Sequence, residues 1–346
     1  MNGRTRRPKI PPVKTMSDIA GLAGVSESTV SRALADSPVV NAKTRERIQT
    51  LARAAGFSAN RAASSLRSRQ SKVIAVVIPI VLHRDRHMSD LAMMSMLIHV
   101  ADALADRGYD LLLCEAAAHE FEGAQLIRSR LAAGAILLGN IPERPAIHRA
   151  TGAGLPIVVW GRPTDDQGYI TVSSDDRQGG YLATQHLIET GRRRIVFLAE
   201  KTLAEISQRW DGYLRAHLEA NLIVDPNLEI RSGFTAADAH SATARILASG
   251  AAFDGIVAGS DIIAMSAMQA LNEAGRSVPG DVGVIGYGDV EIAALTTPAL
   301  TTVRQDLKRA AALLVEKVIA ASAGRPAESV ELPASLVVRK STQRFA

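Results

Sequence analysis

The chain has 346 residues, 47% of them hydrophobic, a formal net charge of +5 and one cysteine. That length holds two or three packed domains, one cysteine excludes an intrachain disulfide framework, and no apolar run reaches the roughly eighteen residues of a membrane span. The charge is uneven: through Lys72 there are fourteen Lys or Arg against four Asp or Glu, while the remainder carries 26 against 31. A basic head on a mildly acidic body points to a polyanion partner for the first segment only.

Residues 1–13 are rich in Arg, Lys and Pro without periodicity and read as a disordered basic arm. No apolar signal core follows Arg4, Arg6, Arg7 and Lys9, so a cytoplasmic protein is expected. A headpiece over 14–58 begins with a helix-turn-helix from Thr15 to Leu34. Thr15 caps a first helix with Asp18 three residues on as a capping box, and Ile19, Leu22 and Ala23 make its apolar face. Gly24 supplies the left-handed turn, Val25 plugs the angle and Ser26 caps the second helix. Small Ala20 would face Val30 at the crossing, with Ala33 and Leu34 continuing the buried stripe. Glu27, Ser28, Thr29, Ser31 and Arg32 then form a polar row suited to base edges and phosphates. Asn41 caps a third helix, Ala42 to Ala55, whose Ile48, Leu51 and Ala52 close the core, Gly56 ends it, and Phe57 packs beneath.

The run Asp18-Ile-Ala-Gly-Leu-Ala-Gly-Val-Ser-Glu-Ser-Thr-Val-Ser-Arg32 resembles the headpiece of the lactose-repressor (LacI) family of bacterial transcription regulators. The resemblance implies that Glu27 and Ser28 read bases, and it makes residues 59–72 a hinge helix that folds on operator DNA, with Leu66 as the leucine wedged into the minor groove. That segment, basic and Ala-rich, has too little apolar surface to hold a helix alone. The candidate contacts with double-stranded operator DNA are Thr15, Met16, Ser26, Glu27, Ser28, Thr29, Ser31, Arg32, Asn41, Asn60 and Leu66.

From Val73 the texture changes to apolar strands alternating with helices. Strands are expected at Val73 to Val81, Tyr109 to Cys114, Ala135 to Leu138, Pro156 to Trp160, Ile195 to Leu198, Gly255 to Ala258 and Val282 to Ile285. Helical stretches such as Leu91 to Arg107, Gly179 to Thr190, Leu203 to Glu219 and Ile262 to Ala274 lie between them, three closed by Gly108, Gly191 and Gly275. This is an α/β chain in which two doubly wound parallel subdomains flank a cleft. Cys114 is expected as a buried strand thiol.

The stretches Leu187-Ile-Glu-Thr-Gly-Arg-Arg-Arg-Ile195, Val278-Pro-Gly-Asp-Val-Gly-Val-Ile-Gly-Tyr-Gly-Asp289 and Leu300-Thr-Thr-Val-Arg-Gln305 extend the family resemblance over residues 73–340, together with the related periplasmic sugar-binding proteins. It implies three crossings between subdomains, one of about 73–170 and 299–325, the other of about 171–298 and 326–340. It also implies a homodimer without membrane attachment.

Catalytic patterns are missing: there is no phosphate loop, no His-Glu-x-x-His and no nucleophile elbow, and no cofactor or metal is expected. The adjacent carboxylates Asp165-Asp166 and Asp175-Asp176 read as solvated loops. Ligands of open α/β sheets sit beyond the carboxyl ends of strands, here the turns after Trp160, Leu198, Ala258 and Ile285. Arg162, Ser260, Asp261, Tyr287 and Asp289 follow three of those strands, and Asp90 precedes the Leu91 helix. Gln208-Arg-Trp-Asp-Gly212 resembles the family's Arg-x-x-Gly element, which makes Arg209 the leading effector contact. Gly288 stands where many sugar-binding members have an aspartate, and sugar, sugar acid and nucleoside all remain open. A repressor controlled by a small-molecule effector, favoured by the basic head, is set against a solute-binding protein of the same core fold.

Overall fold

The computed structural model describes residues 15–34, 36–55, 57, 71–79, 91–116, 122–139, 144–162 and 168–343. The basic arm, Asn60, Leu66, most of the expected hinge, Gly56 and Asp90 lie outside the described residues. The chain divides into two compact units, Met1–Ser71 and Lys72–Ala346.

In the first unit three helices, α1 (Met16–Ala23), α2 (Glu27–Leu34) and α3 (Ala42–Ala54), enclose a small core. Thr15 Oγ1 accepts from the Asp18 N–H while the Asp18 carboxylate accepts from the Thr15 N–H, completing the capping box. Gly24 turns the chain at φ 64°, a left-handed value that a side chain would strain. Ile19, Val30 and Ile48 are fully buried together, and Ala20 beside them keeps α1 close to α2. Leu22 departs from the expected apolar face and is 43% exposed, because α1 buries only Ile19, Ala20 and Ala23.

The second unit contains two six-stranded sheets. The first holds β1 (Val73–Pro79), β2 (Asp110–Ala116), β3 (Gly134–Leu138), β4 (Ile157–Trp160), β5 (Ile170–Ser174) and β11 (Val330–Leu332), in the order β11-β5-β4-β3-β1-β2 and parallel throughout. The second holds β6 (Ile195–Leu198), β7 (Glu229–Ile230), β8 (Gly255–Ala258), β9 (Gly283–Gly288), β10 (Thr301–Arg304) and β12 (Ser335–Val337), in the order β12-β10-β9-β8-β6-β7, with only β12 antiparallel.

Each sheet is covered on both faces, which is why its strands read as continuous apolar runs. Along β1, Ile74 and Val76 pack with helices α4 (Leu91–Ala105) and α11 (Leu307–Ser322), whereas Ala75 and Val77 pack with α5 (Glu122–Arg128) and α6 (Arg144–Gly152). Along β6, Val196 and Leu198 face α9 (Ala236–Ala248) and α10 (Asp261–Glu273), while Ile195 and Phe197 face α7 (Asp176–Glu189) and α8 (Ala204–Glu219).

Three crossings join the halves, but not at the expected limits. β5 extends the first sheet to Ser174, β10 belongs to the second sheet and not to the first, and β11 belongs to the first and not to the second. Capping residues place two of the crossings: Asp175 caps α7 and Asp306 caps α11, so the chain leaves one sheet where a helix must begin. Cys114 is half-buried, because β2 is an edge strand whose neighbours Leu112 and Leu113 are exposed.

Candidate functional site

The first unit presents its polar row as expected. Glu27, Ser28 and Arg32 are exposed on α2, Thr29 and Ser31 are half-buried, and Met16 is half-buried at the start of α1. Ser26 Oγ lies 2.9 Å from both Ser28 Oγ and Thr29 Oγ1 and accepts from the Thr29 N–H at 3.2 Å. Thr15 and Asn41, both exposed, spend their side chains on caps.

The second unit holds a cavity of about 130 Å³ between its two sheets. Trp160, Gly161, Arg162, Ser173 and Ser174 line it from the strand ends of the first sheet, with Ala92, Met93 and Met96 from α4. Asp176 at the start of α7, Glu205 and Arg209 on α8, Phe234, Gly259, Ser260 and Tyr287 line it from the second half, and Gln305 and Leu307 from the second crossing.

Arg209 is the hub of this cavity. It is 8% exposed; its Nε and Nη2 both reach Oδ1 of Asp176 at 2.9 Å, and Nη1 donates to the Gly259 carbonyl at 2.6 Å. Its guanidinium lies 3.5 Å above the centre of the Tyr287 ring. Three bonds leave donors of the five-donor fork for a ligand oxygen. Burial works against the charge on Arg209, but the attraction of Asp176, Tyr287 and Glu205 outweighs it and pushes its pKa up, so the group stays cationic. Burial also pushes the Asp176 carboxyl above its ordinary value, opposed by Arg209.

The helix pair α7 and α8 makes this geometry. Tyr213 Oη donates to the Ile195 carbonyl at 2.7 Å and stacks with Trp210, centroids 4.8 Å apart, which anchors α8 on its sheet and turns Arg209 toward the cavity.

Of the expected effector residues, Arg162, Arg209, Ser260 and Tyr287 line the cavity. Asp261 and Asp289 do not. Asp261 is 2% exposed and accepts from Thr302 Oγ1 at 2.5 Å and the Val290 N–H at 2.8 Å. Asp289 is held by Arg304 and Arg339, each at 2.6 Å. Both carboxylates brace the second sheet from within. The turn after Leu198 contributes nothing to the lining, and α8 takes its place through Glu205, Ile206 and Arg209. Asp176 is not a solvated loop residue, because α7 begins there and buries it against Arg209. The helix-capping aspartate before it was the available signal.

A small helix-turn-helix unit followed by a two-sheet core with a polar cavity defines a ligand-responsive DNA-binding regulator. Residues 15–60 match the family described as bacterial regulatory proteins, lacI family, and residues 184–342 match the periplasmic binding protein-like domain. The chain is 31% identical over 98% of its length to the HTH-type transcriptional regulator CelR of Thermobifida fusca, covering 99% of that protein. It is 29% identical over 96% of its length to the HTH-type transcriptional repressor PurR of Mannheimia succiniciproducens, covering 99% of it. A solved CelR–cellobiose complex superposes with a TM-score of 0.71 at 28% identity, over 94% of this chain and 99% of that one. The chain belongs to the lacI family of bacterial regulatory proteins, and it is a DNA-binding transcriptional regulator. The headpiece match favours this over a solute-binding protein of the same core fold.

Proposed function

We propose that this regulator is a cytoplasmic, homodimeric repressor whose hold on operator DNA is set by a sugar or sugar acid in the cavity around Arg209. The observation that carries the proposal is Arg209 itself, a buried cation with donors to spare, braced by Asp176 and facing a cavity walled by Trp160. Apolar rings against the faces of a sugar and fixed donors at its edge are what a polyhydroxyl ligand requires. The relative solved with cellobiose supports the same class of ligand.

Glu27 and Ser28 at the start of α2 would read base edges, while Arg32 and the Ser26 cluster would meet phosphates. Binding rather than turnover is the task of the core. For control, the sugar must bind the DNA-competent and DNA-incompetent arrangements of the protein unequally, since equal binding shifts nothing. The test is a thermal-shift panel of D-ribose, D-glucose, D-galactose, cellobiose and D-gluconate, followed by DNA binding with the sugar that stabilises the protein. A stabilising sugar that leaves DNA affinity untouched would sink the proposal.

A further inference from the structure

The turn that ends α2 carries an acidic residue where the backbone favours glycine. Asp36 stands two residues past Leu34, the last residue of α2, with φ 54°. Its N–H donates to the Ala33 carbonyl at 3.3 Å and the Ser37 N–H donates to the Arg32 carbonyl at 2.9 Å, the pair of bonds that closes a helix over a left-handed residue. Glycine takes that conformation without steric cost, while a carboxylate there opposes the helix dipole and repels phosphate. The use of Asp36 lies in what its side chain holds. Oδ1 accepts from Gln49 Nε2 at 2.9 Å and pairs with Arg45 Nε at 3.3 Å. The same Gln49 Nε2 donates to the Ala33 carbonyl at 3.1 Å, and Arg45 Nη1 donates to the Ser37 carbonyl at 3.3 Å. Two side chains of α3, a helical turn apart on one face, thus fasten both the last turn of α2 and the turn after it.

We infer that Asp36, acting through Gln49 and Arg45, is a positioning residue that sets the angle at which α2 meets DNA, which rests on α2 being the helix that reads bases. Glu27 and Ser28 lie at the opposite end of α2, about 10 Å from this clamp, so a small tilt at Asp36 displaces them. Val30 and Ala33 are the buried residues of α2, and side chains that small fix its depth more than its direction. Hydrogen bonds to base edges need exact placement, whereas attraction to phosphates does not. Loosening the clamp therefore lowers discrimination between sequences and leaves general affinity for DNA in place.

The experiment uses the full-length protein and measures, at one salt concentration, binding to its selected operator and to an unrelated duplex of equal length, with melting recorded for each variant. Asp36→Gly keeps the left-handed turn but removes the acceptor, Asp36→Asn keeps an acceptor, and Gln49→Met removes the donor. Asp36→Gly and Gln49→Met should each lower the ratio of operator to unrelated affinity roughly three- to tenfold, the worth of one ordinary hydrogen bond. Asp36→Asn should keep the ratio within about twofold, and the double variant Asp36→Gly with Gln49→Met should lose no more than the larger single loss, because both break one contact. The inference is overturned if Gln49→Met or a folded Asp36→Gly protein keeps the original ratio, if Asp36→Asn loses as much as Asp36→Gly, or if the two losses multiply. An unchanged base preference in Glu27→Gln would instead remove α2 from base reading and take the inference with it.

Discussion

Gly180 of α7 and Gly212 of α8 let two helices touch backbone to backbone. A Cβ built on Gly180 would stand 2.0 Å from the carbonyl oxygen of Arg209, and one on Gly212 would stand 2.0 Å from that of Arg177. Space, and not backbone conformation, demands glycine at both places. The close crossing is also what sets Asp176 against Arg209. Gly212→Ala should therefore push the helices apart, cost at least about 1 to 3 kcal/mol of stability, and loosen the Arg209–Asp176 contact. Chemical unfolding and a sugar titration would show both losses; a variant with unchanged stability would mean that the crossing yields easily.

Asp261 should give the core a distinctive pH response. Burial pushes its carboxyl up to about 6, against the bonds from Thr302 and Val290, with Asp289 adding repulsion and Arg339 attraction. The unfolded carboxyl titrates near 3.9, so between about pH 4 and pH 6 the folded chain holds this proton more tightly than the unfolded one. The site's contribution therefore favours folding at the acid end and is lost as pH rises to about 6, by on the order of 2 kcal/mol. Asp261→Asn should remove that slope. Urea unfolding of both proteins at several pH values checks it, and parallel stability profiles would contradict it.

Glu27 begins α2 and is exposed. Its carboxylate can accept from cytosine N4 but repels phosphates, so it should select a base and add little general affinity. Glu27→Gln is expected to change the preferred base at one symmetric pair of operator positions, at a cost of about 1 to 3 kcal/mol on the original site. Operator profiling of the two proteins decides the matter, and identical base preferences would remove Glu27 from base reading.

What could be read ahead of the structure was whatever the chain specifies locally. The caps at Thr15, Ser26 and Asn41 and the turn at Gly24 each depend on residues within three or four positions. Strands such as β6 and β8 announce themselves because both faces are covered and every residue is apolar. β5 does not, since Thr171, Ser173 and Ser174 are polar yet buried. The cavity was half legible for the same reason. Strand-end residues Arg162, Ser260 and Tyr287 follow from the general rule for open sheets, and Arg209 from its Arg-x-x-Gly setting. Asp176, Glu205 and Phe234 depend on where helices and loops of the second half come to rest. Asp289 turned inward because its partners Arg304 and Arg339 lie fifteen and fifty positions further on, beyond the reach of any local pattern.

The central claim is that the cavity around Arg209 governs DNA binding from outside the DNA-binding unit. It is tested most directly by titrating the stabilising sugar into the protein bound to its selected operator, for the original and for Arg209→Ala, with melting transitions recorded for both. Without sugar, Arg209→Ala should bind the operator about as tightly as the original. Its response should move to a concentration tens to thousands of times higher, the equivalent of roughly 2 to 5 kcal/mol for truncating a charge-assisted contact to a desolvated ligand. An Arg209→Ala protein that folds normally and responds at the original sugar concentration would contradict the claim.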